Sequence, residues 1–334
     1  MRAQVLELLV LGVSAIAVLA LGCSDDQVGM PYGAVTEVRE VGDGRLLVAG
    51  YSAPCQCDAV NGFVEFLDES ESLQEFSSRL RAGKVPATRT LPPVWGAVEC
   101  SGTEVIGVTG RQNPPVVVRG PKWRTEELPE EWVLVSIDGS ECDDLLAVGR
   151  KGEAQSSDQI GVIVRFDGES WQEMATPAGT PPLARVWSGD AGSFAVGDEG
   201  TILTLDESVW VRMDTPTELN LRGVWGAGER VYAVGGDAAE QYVILELAGG
   251  IWLPVAEGEG ILLSVRGRSE DDVYAVGGRA LANGDVACTA VHFDGDAWEP
   301  LECNLLVSLW EVWPLENGRV IVGGEDSTLV EIRD

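Results

Sequence analysis

One short motif returns seven times along this chain and sets its architecture. It stands as Leu-Val-Ala-Gly at 47–50, Gly-Val-Thr-Gly at 107–110 and Ala-Val-Gly at 147–149. It recurs at 195–197, 233–235 and 275–277, and last as Ile-Val-Gly-Gly at 321–324. The glycines Gly50, Gly110, Gly149, Gly197, Gly235, Gly277 and Gly323 are spaced by 60, 39, 48, 38, 42 and 46 residues. A period near 45 residues, with β-branched runs between Gly/Asp/Asn turns, marks a repeat fold built from strands.

Alignment on the glycine extends the repeat. Upstream comes a strand carrying Val94-Trp95, Val186-Trp187, Val224-Trp225 or Val312-Trp313, with Arg39, Ile137 and Arg266 taking the Trp position in the other repeats. A polar turn leads into the strand that ends on the glycine. Two further strands follow, the last opened by Trp123, Trp171, Trp210, Trp252 or Trp298. No segment after residue 30 shows a sustained helical period. Four strands in each of seven repeats predict an all-β, seven-bladed β-propeller with four-stranded antiparallel blades. The tryptophans, 11 in all, are expected to fill the wedges between blades. The last repeat stops after a third strand at 329–332, so residues 28–32 are expected to supply a strand that closes the last blade and leaves no open edge.

The first residues read as an export signal, with Arg2 ahead of an apolar run at 8–21 that ends at Gly22-Cys23. That run is shorter than the roughly 20 residues a bilayer-spanning helix needs. Leu19-Ala20-Leu21-Gly22-Cys23 resembles a bacterial lipobox, which implies lipidation of Cys23. An ordinary cleaved signal and a retained N-terminal anchor are the other readings. The expected organisation is a signal peptide at 1–22, a short tether at 23–27 and the propeller at 28–334. Ser24 after the cysteine favours the outer membrane, with the chain held to the cell envelope through its N-terminal lipid only. A net charge of −31 repels nucleic acid phosphates and anionic surfaces, which excludes nucleic acid as a general partner.

Six cysteines remain beyond Cys23, an even number that suits an exported protein. Cys288 and Cys303 flank a hairpin turning at Asp294-Gly295. If Phe293 faces Trp298, antiparallel register also sets Cys288 opposite Cys303, within bridging reach. Cys100 and Cys142 occupy the same turn of successive repeats and are expected to bridge neighbouring blades. Cys55 and Cys57 are left as a tight ring, a reducible pair or a weak metal signal.

Leu221-Arg-Gly-Val-Trp-Gly226 with Val231-Tyr-Ala-Val-Gly235 resembles the repeats of bacterial lipoproteins with propeller folds, and the same stretches resemble degenerate Kelch repeats. The turns at 166–171 and 293–298, Phe-Asp-Gly-x-x-Trp, are similar to the Asp-box of sialidase-like propellers. That box staples a hairpin and transfers no catalysis. These resemblances imply a fold; a propeller hosts many unrelated activities.

Catalytic chemistry is thinly represented. The one histidine, His292, reads as an ordinary strand side chain, and without a second histidine there is no histidine-based metal site. No catalytic residue, metal site or cofactor is assigned. The expectation is a monomeric, non-catalytic binding or scaffold module for an envelope protein or carbohydrate. The alternative is a carboxylate-dependent glycoside hydrolase or lyase. Loops on a rigid frame are where binding tends to sit. The longest second-to-third-strand loops, at 51–61, 150–159 and 279–287, nominate Arg150, Lys151, Asp158, Arg279, Asn283 and Asp285. Arg39 and Arg266 read first as blade-edge substitutions and second as ligand contacts.

Overall fold

The computed structural model describes residues 32–41, 44–53, 61–67, 72–81, 91–100, 104–110, 116–120, 124–152 and 158–332. The signal segment, Cys23, residues 28–31 and the Cys55/Cys57 pair lie outside them. Consecutive antiparallel strands make six sheets. The first sheet holds β1 (Tyr32–Glu40), β2 (Leu46–Ala53) and β3 (Asn61–Leu67). The second holds β4 (Gly96–Cys100), β5 (Glu104–Val108), β6 (Val116–Arg119) and β7 (Arg124–Glu127). The third holds β8 (Trp132–Glu141), β9 (Asp144–Lys151), β10 (Ile160–Phe166) and β11 (Trp171–Glu173). The fourth holds β12 (Leu183–Gly189), β13 (Gly192–Gly197), β14 (Ile202–Asp206) and β15 (Val209–Arg212).

The fifth sheet has six strands. These are β16 (Leu221–Ala227), β17 (Arg230–Ala248), β18 (Ile251–Ser269), β19 (Asp272–Ala280), β20 (Val286–Phe293) and β21 (Trp298–Pro300). The last sheet holds β22 (Leu309–Pro314), β23 (Val320–Gly324) and β24 (Thr328–Ile332).

This corrects the expectation of seven separate blades. β17 and β18 each run for 19 residues, and β18 pairs with β17 along its first half and with β19 along its second. The fifth and sixth repeats therefore share one continuous sheet. The first and last sheets have three strands each and meet through the antiparallel Ala34–Glu325 bridge. By sheet connectivity the ring has five blades: three four-stranded sheets, the six-stranded sheet, and this closing unit.

Of the closing strand expected at 28–32 only Tyr32 is among the described residues, and it pairs with Ala53 inside the first sheet. The free edge of β24 is met by a helix, α1 (Leu73–Arg81), where sequence periodicity had promised none. The Ser77 hydroxyl donates to the Leu329 carbonyl at 2.9 Å and accepts from the Leu329 N–H at 3.1 Å. Phe76 and Leu80 of α1 are buried among Val35, Val38, Phe63, Ile321 and Leu329, the wedge between first and last sheets. Full burial of such a side chain contributes about 1.5–3 kcal/mol, which is how so short a helix stays formed. The helix is only 9 residues long, too short for its period to stand out against the strand signal.

The recurring glycine has a steric cause. In six repeats the innermost strand carries a β-bulge at one place, so that the pairing slips between Val35 and Glu37, Leu134 and Ser136, Leu183 and Arg185, Leu221 and Gly223, Leu262 and Ser264, and Leu309 and Glu311. The residue facing the bulge is Gly50, Gly149, Gly197, Gly235, Gly277 or Gly324. A Cβ at Gly149, Gly235 or Gly277 would lie 1.9–2.0 Å from a carbonyl oxygen of the bulged strand. Only glycine allows that approach, and the bulge in turn re-aims the side chains after it. In the last repeat the glycine in this role is Gly324, not Gly323. In the second repeat β4 begins at Gly96, opposite Val108, and pairs with β5 without a shift, while the Trp95 N–H just before it donates to the Val108 carbonyl at 2.9 Å.

The two Asp-box-like hairpins form as their motif implies. Asp167 Oδ1 accepts from the N–H groups of Glu169 and Ser170 at 3.0 and 2.8 Å, and Asp294 Oδ1 from those of Asp296 and Ala297 at 2.9 and 3.0 Å. Those bonds hold both carboxyls below the usual aspartate range. Phe293 faces Trp298, and Cys288 is bonded to Cys303 with Cα atoms 5.9 Å apart. Cys142 keeps a free thiol, so the expected bridge to Cys100 is not made. Its half-buried side chain packs instead against the cluster containing Val98, Ile106 and Phe166.

Candidate functional site

After each bulge, two residues of the innermost strand turn toward the ring axis, with an apolar residue between them facing the sheets. The register identifies them. Ile137, Val186, Val224 and Val265 pair with Ala147, Ala195, Ala233 and Ala275. The position before forms one layer: Glu37, Ser136, Arg185, Gly223, Ser264 and Glu311. The position after forms a second: Arg39, Asp138, Trp187, Trp225, Arg266 and Trp313. The Trp position of the third repeat is therefore Asp138, one residue beyond Ile137. In the second repeat it is Val98, since Ala97 opposes Gly107. Trp95 lies three residues earlier and stacks on Trp310, with centroids 6.1 Å apart and planes at 11°. Tyr51 joins that pair at 5.9 Å from Trp95, and burial with Glu325 nearby pushes its hydroxyl up to about 12.

Ion pairs cross the ring within each layer, and Arg39 joins the two layers through Glu37 of its own strand. Arg39 Nη1 donates to Asp138 Oδ1 at 2.9 Å and Arg39 Nε to Glu37 Oε1 at 3.0 Å. Arg39 Nη2 adds a bond to the Ile137 carbonyl at 3.2 Å. Arg185 bonds Glu311 directly and lies 3.9 Å from Glu37 Oε2. Ser264 Oγ donates to Glu311 Oε1 at 3.2 Å, and the Ser188 N–H donates to Asp138 Oδ2 at 2.9 Å. The carboxylates of Glu37 and Glu311 are 1% and 0% exposed, so the axis is closed by paired charges. Burial works against the charge of Arg39, but Glu37 and Asp138 outweigh it and hold its pKa above the usual arginine value. Burial pushes the Glu311 carboxyl up and Glu37 adds to that, against the pull of Arg185. One close cation shared by two buried carboxylates leaves that net direction.

Arg266 stands apart. Its guanidinium lies 4.0 Å over the Trp313 ring, its Nε is buried without a hydrogen-bond partner, and no carboxylate among the described residues forms an ion pair with it. Burial and repulsion from Arg39 lower its pKa to about 10 despite partial offset by Glu311, Glu37 and Asp138. It lines a recess of about 320 Å³ with Glu40, Trp225, Arg268, Trp313 and Glu316, on the face of the first-to-second-strand turns. Trp225 is seated there by Gly267, where a Cβ would come within 2.6 Å of the indole. Arg268 is already committed: it bonds Asp272, and its Nη2 lies 3.1 Å from the Tyr274 hydroxyl. His292 completes that group, 2.8 Å from Asp272 and stacked on Tyr274 with centroids 4.1 Å apart. Burial opposes the Asp272 charge, but the bonds from Arg268 and His292 prevail and hold its carboxyl below the usual range.

The loop residues nominated from sequence sit on the opposite face and are not brought together. Arg150 and Lys151 end β9, where Lys151 pairs with Glu173, and Asp158 is exposed just before β10. Arg279 lies 3.5 Å from Glu259, and Asn283 and Asp285 bond each other within their own turn. Sequence reasoning missed Glu37, Asp138, Arg185 and Glu311. Their signal was present: a charged residue on either side of the central apolar residue, in strands otherwise apolar. Among the described residues no group of three or more His, Cys, Asp or Glu is placed to hold a metal ion.

No family model and no curated protein matches the chain. Among solved structures it is similar to the extracellular domain of BT4673 from B. thetaiotaomicron, described in one structure as a hybrid two component system and in another as a one component system. The TM-scores are 0.56 and 0.54 at 8% identity, over 91% of this chain. The chain spans 38% and 39% of the length of those structures. The WD40 β-propeller domain of Doa1 aligns more loosely, with TM-score 0.42 and 14% identity over 72% of this chain and 91% of that one. At such identities the likeness is one of fold, and that fold is the β-propeller.

Proposed function

We propose that this chain is an extracytoplasmic β-propeller, tethered to the bacterial envelope by a lipid on Cys23, that acts as a monomeric, non-catalytic binding module for an envelope protein or glycan. One observation carries the non-catalytic reading. The carboxylates that converge on the ring axis, where a glycosidase would need an open acid and base, are spent in buried ion pairs with Arg39 and Arg185. What stays open is a recess with aromatic walls and a guanidinium, which suits recognition. Placement outside the cytoplasm is supported by the export-like N-terminus and by the extracellular origin of the structural neighbours. Among the described residues no helix is long and apolar enough to cross a membrane; in this reading attachment is through the lipid on Cys23, which lies outside them.

Two measurements on the full chain test the proposal. Its mass from the membrane fraction should carry a diacylglycerol that disappears when lipoprotein signal processing is blocked; an unchanged mass removes the tether. On an array of envelope glycans and proteins it should bind without turning over aryl glycosides. Hydrolysis that is lost on Glu311→Gln would replace the binding module with an enzyme.

A further inference from the structure

We propose that the recess around Arg266 binds a single carboxylate carried on a cyclic, hydroxyl-bearing body, the chemistry of a uronic acid. This rests on the binding-module reading and names the ligand class for that site.

The repeat itself supplies the comparison that exposes the feature. Arg39 and Arg266 occupy the same position of two repeats, and Arg39 is held by two carboxylates. Arg266 has only the face of Trp313 beneath it. A guanidinium seated over an indole leaves its terminal N–H groups to meet a carboxylate, which guanidinium geometry can grip in bidentate fashion. Its buried and unpartnered Nε adds a donor whose need no protein group meets. The charge is unfavourably placed in the empty site, because burial and Arg39 both oppose it, and a bound carboxylate relieves that cost.

The remaining walls select the body of the ligand. Trp225 and Trp313 present apolar surface to the recess, suited to the flat face of a sugar ring. Glu40 and Glu316 on its rim accept hydrogen bonds from hydroxyls and repel a second negative charge. That repulsion grows with ligand charge, so it weighs more heavily against a doubly charged phosphate or a polyanionic chain than against a single carboxylate. A volume of about 320 Å³ holds one or two sugar units. A ligand so small is expected to bind with a dissociation constant on the order of 1 mM.

The test is a titration of the full chain with D-glucuronate, D-glucose and inorganic phosphate, followed by tryptophan emission and calorimetry. Glucuronate should bind at least about tenfold more tightly than either of the others, a gap of about 1.4 kcal/mol. Arg266→Gln should abolish that preference while leaving the melting temperature within a few degrees of the parent. Equal binding of glucuronate and glucose overturns the carboxylate assignment and leaves the binding module standing. Tighter binding of phosphate overturns it in favour of a simple anion site. Binding of none of the three overturns this inference alone, since the array experiment is independent of it. If Arg266→Gln does not fold, the preference of the parent chain and of Arg266→Lys decides: the lysine variant should keep the charge and lose most of the selectivity.

Discussion

Arg39 and Arg266 are products of the same repeat position and have opposite surroundings. Arg39 faces Asp138 across the ring and Glu37 on its own strand, and its charge is held more firmly than in water. Arg266, five repeats later, lies on Trp313 with no direct counter-ion, and its charge is held less firmly than in water. A bulged strand delivers a side chain to the axis whatever that side chain is. Whether it becomes structure or remains open to a ligand depends on what the strands opposite deliver. On one side of the ring they supply carboxylates; around Arg266 they supply tryptophans.

The largest way to break that contrast is through the arginine that bridges the paired side. Arg185→Leu leaves Glu311 buried without its cation and Glu37 without its second partner. Breaking a buried pair from one side costs about 3–5 kcal/mol, measured by urea unfolding. The loss should depend on pH. Glu311 already has a raised pKa, and a carboxyl of that kind contributes stability below its ordinary value that is lost as pH rises through its folded-state value. The deficit of Arg185→Leu should therefore be smaller at about pH 5 than at about pH 8. An equal deficit at both would mean that Glu311 is not the group left stranded.

A smaller loss is expected from Arg39→Leu. Asp138 keeps the Ser188 N–H and Glu37 keeps Arg185 within 3.9 Å, so neither carboxylate is orphaned. The cost should be about 2 kcal/mol, the range of a charged hydrogen bond removed from a partly buried site. A double variant with Asp138→Leu should cost less than the two single losses added together, because each single change already breaks the same bond. Simple additivity would show that the 2.9 Å contact contributes nothing.

These distinctions were only half legible in the sequence. The Ala-Val-Gly echo disclosed strands, repeats and a ring, because the clash at the bulge permits no other residue there. The Cys288–Cys303 bridge followed from Phe293 facing Trp298, since register propagates along a hairpin. Blade count was not legible: continuity of β17 with β18, and the bridge at Ala34, depend on backbone pairing that no local pattern records. The repeat position of Arg39 and Arg266 was visible as the place where other repeats carry Trp, was read first as blade-edge packing, and was misplaced in two repeats. Alignment on glycine alone hides the register: Ala97 opposes Gly107, which puts Val98 at the position that Trp95 was expected to hold. Arg39 and Arg266 were indistinguishable in one dimension, because their partners stand in other repeats.

The smallest expected effect is the sharpest, and it concerns Arg266 itself. Arg266→Leu removes a charge that makes no ion pair and restores apolar contact with Trp313, so at neutral pH its stability should equal or slightly exceed that of the parent, within about 0.5 kcal/mol. The sign follows from the titration. A base whose folded-state pKa lies below its ordinary value is penalised while it is protonated, and the parent chain gains stability as pH climbs from about 10 toward the ordinary arginine value. The leucine variant lacks that gain, so unfolding curves of the two proteins should separate in favour of the parent above about pH 10. A loss near 2 kcal/mol at neutral pH, like that expected for Arg39, would place Arg266 inside the structural network through its long-range balance with Glu311 and Glu37. The recess would then be a by-product of packing, and the two arginines would differ in geometry but not in role.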